Sequence, residues 1–92
     1  MPSKTTSKFY YTYVLLSLKD NKKYIGFSTD LKNRVTEHAE GKVFSTAPRL
    51  PLQIIYYEAC LSEADARQRE KYLKTTAGRR FLAKRLKHFL FY

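Results

Sequence analysis

Phe9-Tyr10-Tyr11-Thr12-Tyr13-Val14-Leu15-Leu16-Ser17-Leu18, then Lys19-Asp20-Asn21-Lys22, then Lys23-Tyr24-Ile25-Gly26-Phe27 is the stretch that decides the fold. The first ten residues are rich in Tyr, Val and Leu, the composition of a strand. Their apolar character is almost unbroken, so both faces of the strand must be covered, and it is the natural centre of a sheet. Asp20 and Asn21 sit in a turn signal, and the apolar pattern resumes at Lys23, which together predict a β-hairpin. Gly26 inside the second strand marks a bulge or a close backbone approach.

Outward from the hairpin, Asp30 is placed to cap a helix running to about Glu40, with Gly41 as its stop. Leu31, Arg34, Val35 and His38 fall at i, i+3, i+4 and i+7 and therefore share one helix face. Residues 41–51 read as a loop containing Pro48 and Pro51, and Leu52 to Cys60 as a third strand. Ser62 caps a second helix to about Lys74, with Asp65 in the position of a capping-box acid. Gly78 is read as a separator before a last helix, whose Leu82, Leu86, Phe89 and Leu90 make a buried stripe. The order β-β-α-β-α-α predicts a small α/β (α+β) domain: a three-stranded, largely antiparallel sheet flanked by helices. Residues 1–8 are read as a flexible N-terminus and residues 9–92 as a single domain.

The chain has 92 residues, of which 18 are Lys or Arg and 8 are Asp or Glu, for a net charge of +10. A domain this small buries roughly 60–65% of its unfolded surface, so that much unbalanced charge opposes compaction unless the partner is a polyanion. The basic residues divide evenly about residue 50, so the charge belongs to the fold and not to a tail. Lys71 to Tyr92 is the exception, with basic residues and no acid. A 43% hydrophobic and 15% aromatic content argues against intrinsic disorder, and eight Tyr with six Phe leave Tyr to spare beyond a small core. The lone Cys60 excludes an internal disulfide or a multi-cysteine zinc site. No apolar run has the roughly 18 residues of a membrane span, and Met1 to Lys8 lacks the apolar segment of a signal peptide. These features point to a cytoplasmic protein, away from membranes, with nucleic acid as its leading partner.

Tyr13 and Tyr24 lie on the two strands of the hairpin, Arg34 and His38 on the first helix, and Glu70 on the second. Arg, His, Tyr and a carboxylate are the groups phosphodiester chemistry uses: a carboxylate holds a metal, Arg neutralises phosphoryl charge, and Tyr or His moves a proton. Taken singly each has a plainer reading. A strand Tyr is commonly a packing residue, Arg34 and His38 at i, i+4 commonly a solvated face, and Glu70 an ion-pair partner of the neighbouring Arg67 and Lys74.

Taken together they resemble the GIY-YIG nuclease family. The second half of that motif stands intact as Tyr24-Ile25-Gly26, and the first half in degenerate form as Tyr11-Thr12-Tyr13, followed by Val14-Leu15-Leu16. Asp30 to His38 looks like the family's first helix, and Arg69-Glu70-Lys71-Tyr72-Leu73-Lys74 resembles the helix bearing its metal-binding Glu. The likeness runs from about Tyr10 to Arg85 and is nearest to the small stand-alone bacterial members. It departs from the family at Tyr11, where the motif has Gly, and in lacking the late Asn that braces many larger members.

The resemblance implies hydrolysis of DNA phosphodiester bonds with one divalent metal, Mg2+ or alternatively Mn2+. Tyr13 would act as general base or orient the attacking water. Tyr24 would hydrogen-bond that water or the phosphate, Arg34 would hold the phosphate, His38 would assist proton transfer and Glu70 would hold the metal. A phenol of pKa near 10 is a poor base at neutral pH, and Arg34 and the metal are expected to lower it. Gly26, Lys42, Ser45, Thr46, Arg49, Lys74, Arg79 and Arg80 are the candidate nucleic-acid contacts, the basic ones and the hydroxyls directed at the phosphate backbone. Tyr56 and Tyr57 offer a stacking surface, although one of two adjacent strand residues must face the core. With no second recognition module, branched, nicked or single-stranded DNA is the expected substrate, as in repair or recombination. A protein partner is compatible with the sequence but not indicated by it. The alternative is a non-catalytic basic module that keeps the fold and binds nucleic acid.

Overall fold

The computed structural model describes residues 8–92; of the expected flexible N-terminus, residues 1–7 lie outside the described residues. Three strands, β1 (Tyr10–Ser17), β2 (Lys23–Ser28) and β3 (Leu52–Cys60), form one antiparallel sheet in the order β2-β1-β3. Helices α1 (Leu31–Ala39), α2 (Glu63–Leu73) and α3 (Thr76–Arg85) flank it, α4 (Lys87–Phe91) follows, and a 3-10 turn, Ala47–Arg49, precedes β3. The α+β architecture and the order β-β-α-β-α-α are as the sequence predicts, with the final helical segment in two pieces.

β1 is the central strand, and Thr12 to Ser17 are all buried. Its buried Thr12 and Ser17 hydroxyls are satisfied, Thr12 donating to the Ala66 carbonyl at 2.8 Å and Ser17 to the Arg49 carbonyl at 2.6 Å. The hairpin turns through Asn21 in a left-handed conformation (φ 59), which a short polar side chain tolerates. Asp30 and Ser62 cap α1 and α2 through the amides of Asn33 and Asp65.

The core lies between the sheet and α2 and α3. Val14, Leu73 and Leu82 are fully buried there, with Ile25, Ile55, Tyr56, Phe81 and Leu86 packed around them. A register shift against β1 makes Ile55 an extra residue, since Val14 pairs with Tyr56 and Leu15 with Ile54. The bulge breaks strand alternation, so Ile55 and Tyr56 both reach the core. The bulge thus sits in β3, not at Gly26.

Two expectations for the C-terminal third are corrected. Gly78 does not separate helices: it is buried inside α3, and Thr75 is the cap, accepting from the Gly78 amide at 3.1 Å. A Cβ at Gly78 would lie 2.0 Å from the Tyr72 carbonyl oxygen and 2.5 Å from Leu73 Cα, so this glycine lets α3 cross the end of α2 in backbone contact. The buried stripe also stops short, because Leu82 is fully buried while Phe89 is 53% exposed. Three strands spaced about 4.8 Å apart make a narrow face, which α2 and α3 already cover. α4 therefore packs on α3 and leaves Phe89, Phe91 and Tyr92 in solvent.

Candidate active site

The opposite sheet face and the β2 edge carry an open cleft of about 1000 Å³. Its walls come from β1, β2, α1, α2, α3 and the loop after α1. The strand register starts it: Tyr13 on β1 stands directly opposite Gly26 on β2. A Cβ at Gly26 would lie 2.3 Å from both Cζ and Oη of Tyr13. Gly26 is therefore the close approach read from the sequence, and the group approaching is the Tyr13 ring, which lies across it.

Tyr13 is 2% exposed, and its hydroxyl is 2.9 Å from Nε2 of His38. His38 is 4% exposed, and its Nδ1 is 2.7 Å from Oγ1 of Thr46, which is also buried. Tyr13, His38 and Thr46 thus form one hydrogen-bonded chain running into the protein. Placing Arg34 and His38 one turn apart on α1 brings the Arg34 guanidinium close enough to the same phenol for each to shift the other's proton affinity, and Arg34 is itself held by Glu37 at 3.1 Å.

The electrostatics of the pair depart from expectation. Burial raises the Tyr13 pKa above its ordinary value of 10.0, and the neighbouring Arg34 guanidinium only partly opposes this. Arg34 by itself does not supply the lowering expected from the sequence, because desolvation of a phenolate outweighs it. Burial, assisted by the Arg34 charge, also holds His38 below the usual histidine value, so the imidazole is neutral near pH 7.

Tyr24 lines the cleft from β2, and its hydroxyl donates to Asp20 Oδ2 at 2.8 Å. Partial burial first, and then Asp20, raise its pKa. Asp20 also accepts from the Lys22 amide and faces Arg49 at 3.6 Å, so the hairpin turn fixes the Tyr24 ring. Glu70 reaches the cleft from α2 with one oxygen paired to Lys74 Nζ at 3.1 Å.

All five residues singled out for chemistry therefore line one cleft, as do Gly26, Ser45, Thr46, Lys74 and Arg79. Thr46 is placed for a different task from a backbone contact, since its hydroxyl is engaged by His38. Lys42, Arg49 and Arg80 are outside the cleft lining: Lys42 pairs with Glu40 at 3.0 Å, Arg49 with Asp20, and Arg80 faces a groove beside α3. Tyr56 packs into the core with its hydroxyl on Glu58, while Tyr57 is 56% exposed on the other face beside Tyr11.

Sequence reasoning missed Asp20, Lys22, Lys23 and Arg67. Arg67 had a legible signal, lying three residues before Glu70 on the same face of α2; its guanidinium sits 4.0 Å over the Phe27 ring at the cleft edge. Lys22 ends the turn and Lys23 begins β2, and only the folded hairpin turns them toward the cleft.

Among the described residues no group of three or more His, Cys, Asp or Glu could enclose a metal ion. A lone carboxylate fits a hard divalent cation that keeps most of its water, as Mg2+ does beside phosphates. Glu70 is partly exposed and lies within the cleft that also holds the Arg34 guanidinium, so it suits that mode.

A model of the GIY-YIG catalytic domain matches residues 9–85. The chain belongs to the GIY-YIG family. This is a family of nucleases, so the substrate class of the domain is nucleic acid. A UPF0213 protein of Lacticaseibacillus paracasei is 42% identical over 69 residues, covering 74% of this chain and 76% of that relative. The UPF0213 protein YazA of Bacillus subtilis is 35% identical over 71 residues, covering 76% and 69%. A UPF0213 protein of Streptococcus pyogenes, SpyM50708, is 40% identical over 70 residues and covers 75% of each chain. No solved structure matches the chain. In this GIY-YIG domain no helix among the described residues is long and apolar enough to cross a membrane.

Proposed function

We propose that this GIY-YIG domain is a metal-dependent endonuclease that hydrolyses DNA phosphodiester bonds, selecting its substrate by backbone geometry and charge, in DNA repair or recombination in the cytoplasm. The observation that carries the reading is the convergence of Tyr13, Tyr24, Arg34, His38 and Glu70, from four separate elements, on one cleft.

The chain's own residues divide the work. Arg34 neutralises charge developing on the phosphoryl oxygens, its guanidinium being steered by Glu37. The Tyr13 phenol takes a proton from the attacking water as it passes its own to the neutral Nε2 of His38, 2.9 Å away. The water oxygen forms its bond to phosphorus as the bond to the leaving oxygen breaks. The leaving oxygen departs with that electron pair and is protonated from solvent. This relay removes the need for a phenol of depressed pKa, because the proton is handed on and no free tyrosinate accumulates. Thr46 on Nδ1 holds the imidazole with Nε2 turned to the phenol. Tyr24, released from Asp20, donates to the phosphate or the water. Glu70 would hold the divalent metal, Mg2+ or Mn2+, which when bound polarises the phosphate and stabilises the leaving oxygen.

The deciding experiment is cleavage of single-stranded, duplex, nicked, flap and four-way-junction DNA, with wild type beside Glu70→Ala and Glu70→Gln, and EDTA as the blank. Cleavage abolished by EDTA and by both variants, with DNA binding retained, supports the reading, and preference for branched or nicked forms supports its selectivity. A folded wild type that binds DNA but cuts nothing with either metal would instead make this a binding module on a nuclease scaffold.

A further inference from the structure

On the side of the molecule formed by α3 and α4 lies a second concavity, a groove of about 650 Å³. Its lining is mostly apolar and includes Tyr72, Phe81, Phe91 and Tyr92, with Arg80, Lys84 and Lys87 among the rings and no acidic residue. We propose that this groove is a second nucleic-acid site, which binds unpaired single-stranded nucleic acid by stacking bases on these aromatic rings and pairing the backbone with Arg80, Lys84 and Lys87.

Three observations support it. First, two of the aromatics present most of their ring surface to solvent at the groove: Phe91 is 68% and Tyr92 88% exposed, while Phe81 reaches it from the edge of the core. Second, the groove wall is braced. Arg69 is held by both oxygens of Glu58 at 2.9 to 3.1 Å and lies 5.1 Å from the Tyr72 ring and 4.5 Å from the Phe81 ring. Two rings fixed by one anchored guanidinium make a preorganised stacking platform. Third, charge selects the occupant. The segment from Lys71 to Tyr92 holds seven basic residues and no acid, so a second copy of this face would meet like charge, whereas a polyanion is attracted. Rings interleaved with cations in a concave surface match the way single strands are held without sequence preference.

The position gives the site a use. Tyr72 belongs to the groove and Lys74 to the cleft, and the adjacent Arg80 and Arg79 divide in the same way. The end of α2 and the start of α3 therefore form a ridge with the cleft on one side and the groove on the other. A flap or gapped substrate whose duplex part occupies the cleft can lay its unpaired strand over this ridge. The inference rests on a nucleic-acid partner in the cleft, but not on turnover there.

The test is titration of the full chain, in EDTA so that nothing is cut, with a twelve-nucleotide oligothymidylate, followed by amide NMR. Shifts at Tyr72, Ala77, Ala83 and Phe91 are expected. Shifts confined to Tyr24, Gly26 and Ser45 would overturn the proposal. Phe91→Ser/Tyr92→Ser, at exposed positions that threaten no core, should weaken oligothymidylate binding on the order of tenfold or more. An abasic oligomer of equal length should bind wild type and variant alike, and an equal loss with both ligands would refute stacking. Groove shifts produced by anionic phosphatidylserine vesicles but not by the oligomer would assign the face to a membrane surface and sink the idea. Failure of the cleft to cut any DNA, with these shifts intact, would refute the nuclease reading alone.

Discussion

At Tyr13 two effects oppose each other: burial raises the phenol's pKa, Arg34 lowers it, and burial wins. In the proposed relay the neutral His38 beside it accepts the Tyr13 proton, so protonation of His38 would set the pH dependence. A cationic imidazole cannot accept the Tyr13 proton. Because His38 is held below the ordinary value of about 6.5, the acid-side fall of kcat/KM is expected to have its midpoint below pH 6.5. A rate profile that titrates well above 6.5 would count against His38 as acceptor. The sign for stability follows from the same shift: the unfolded chain takes up this proton at higher pH than the folded one, so stability drops as pH falls from about 6.5 through the depressed folded value. Melting of His38→Gln should lose that component. Thr46→Val keeps the shape of Thr46 but leaves Nδ1 without a partner in a buried site; kcat should fall on the order of tenfold, with Thr46→Ser restoring it. Gly26→Ala pushes the Tyr13 ring off its place. A displacement of about 1 Å can cost on the order of a hundredfold in rate, so cleavage should collapse in this variant while DNA binding measured in EDTA holds.

Among the elements, α3 is the one whose placement depends on a single residue. Gly78 carries the contact between α3 and the end of α2, and the Cβ of alanine would meet backbone atoms that cannot step aside. Gly78→Ala, which favours a helix on propensity alone, is nevertheless expected to destabilise by about 1–3 kcal/mol through overpacking. An unchanged or raised melting temperature would show that α3 is free to shift. The sequence pattern gave the element boundaries well where capping chemistry is local, at Asp30 and Ser62. It misread Gly78 because a glycine at a helix stop and a glycine at a helix crossing look alike in one dimension. Thr75 is the better local signal, since its hydroxyl caps α3.

For the whole molecule, the net charge of +10 is not spread as an even footprint. Arg34, Arg67 and Lys74 on the cleft wall each face an acid, as do Lys42 and Arg49 outside it. Lys22, Lys23 and Arg79 line the cleft with no acidic partner among the described residues. If Lys22, Lys23, Arg67, Lys74 and Arg79 neutralise about five phosphates, log K for duplex DNA falls with log salt at a slope of about −4 to −5. A slope near −1 would mean that the cleft grips only the reacting phosphate. Arg79→Glu should flatten the slope by about one unit per lost contact.

What the sequence determined by itself was everything set by near neighbours and by pattern. The unbroken apolar run of Tyr13 to Leu16 required a central strand, Asp30 and Ser62 began the helices, and the paired Tyr motifs with Arg34, His38 and Glu70 named the family and the candidate site. Tertiary structure alone decided how those groups meet. The strand register set Tyr13 across Gly26, the fold of the loop after α1 turned Thr46 inward onto His38, and desolvation fixed the directions of both pKa shifts. It also decided which aromatics the core had no room for: a three-stranded sheet is covered by α2 and α3, and the rings of α4 are left facing water among lysines. Burial and long-range approach are properties of the packed chain, so no local pattern could have stated them.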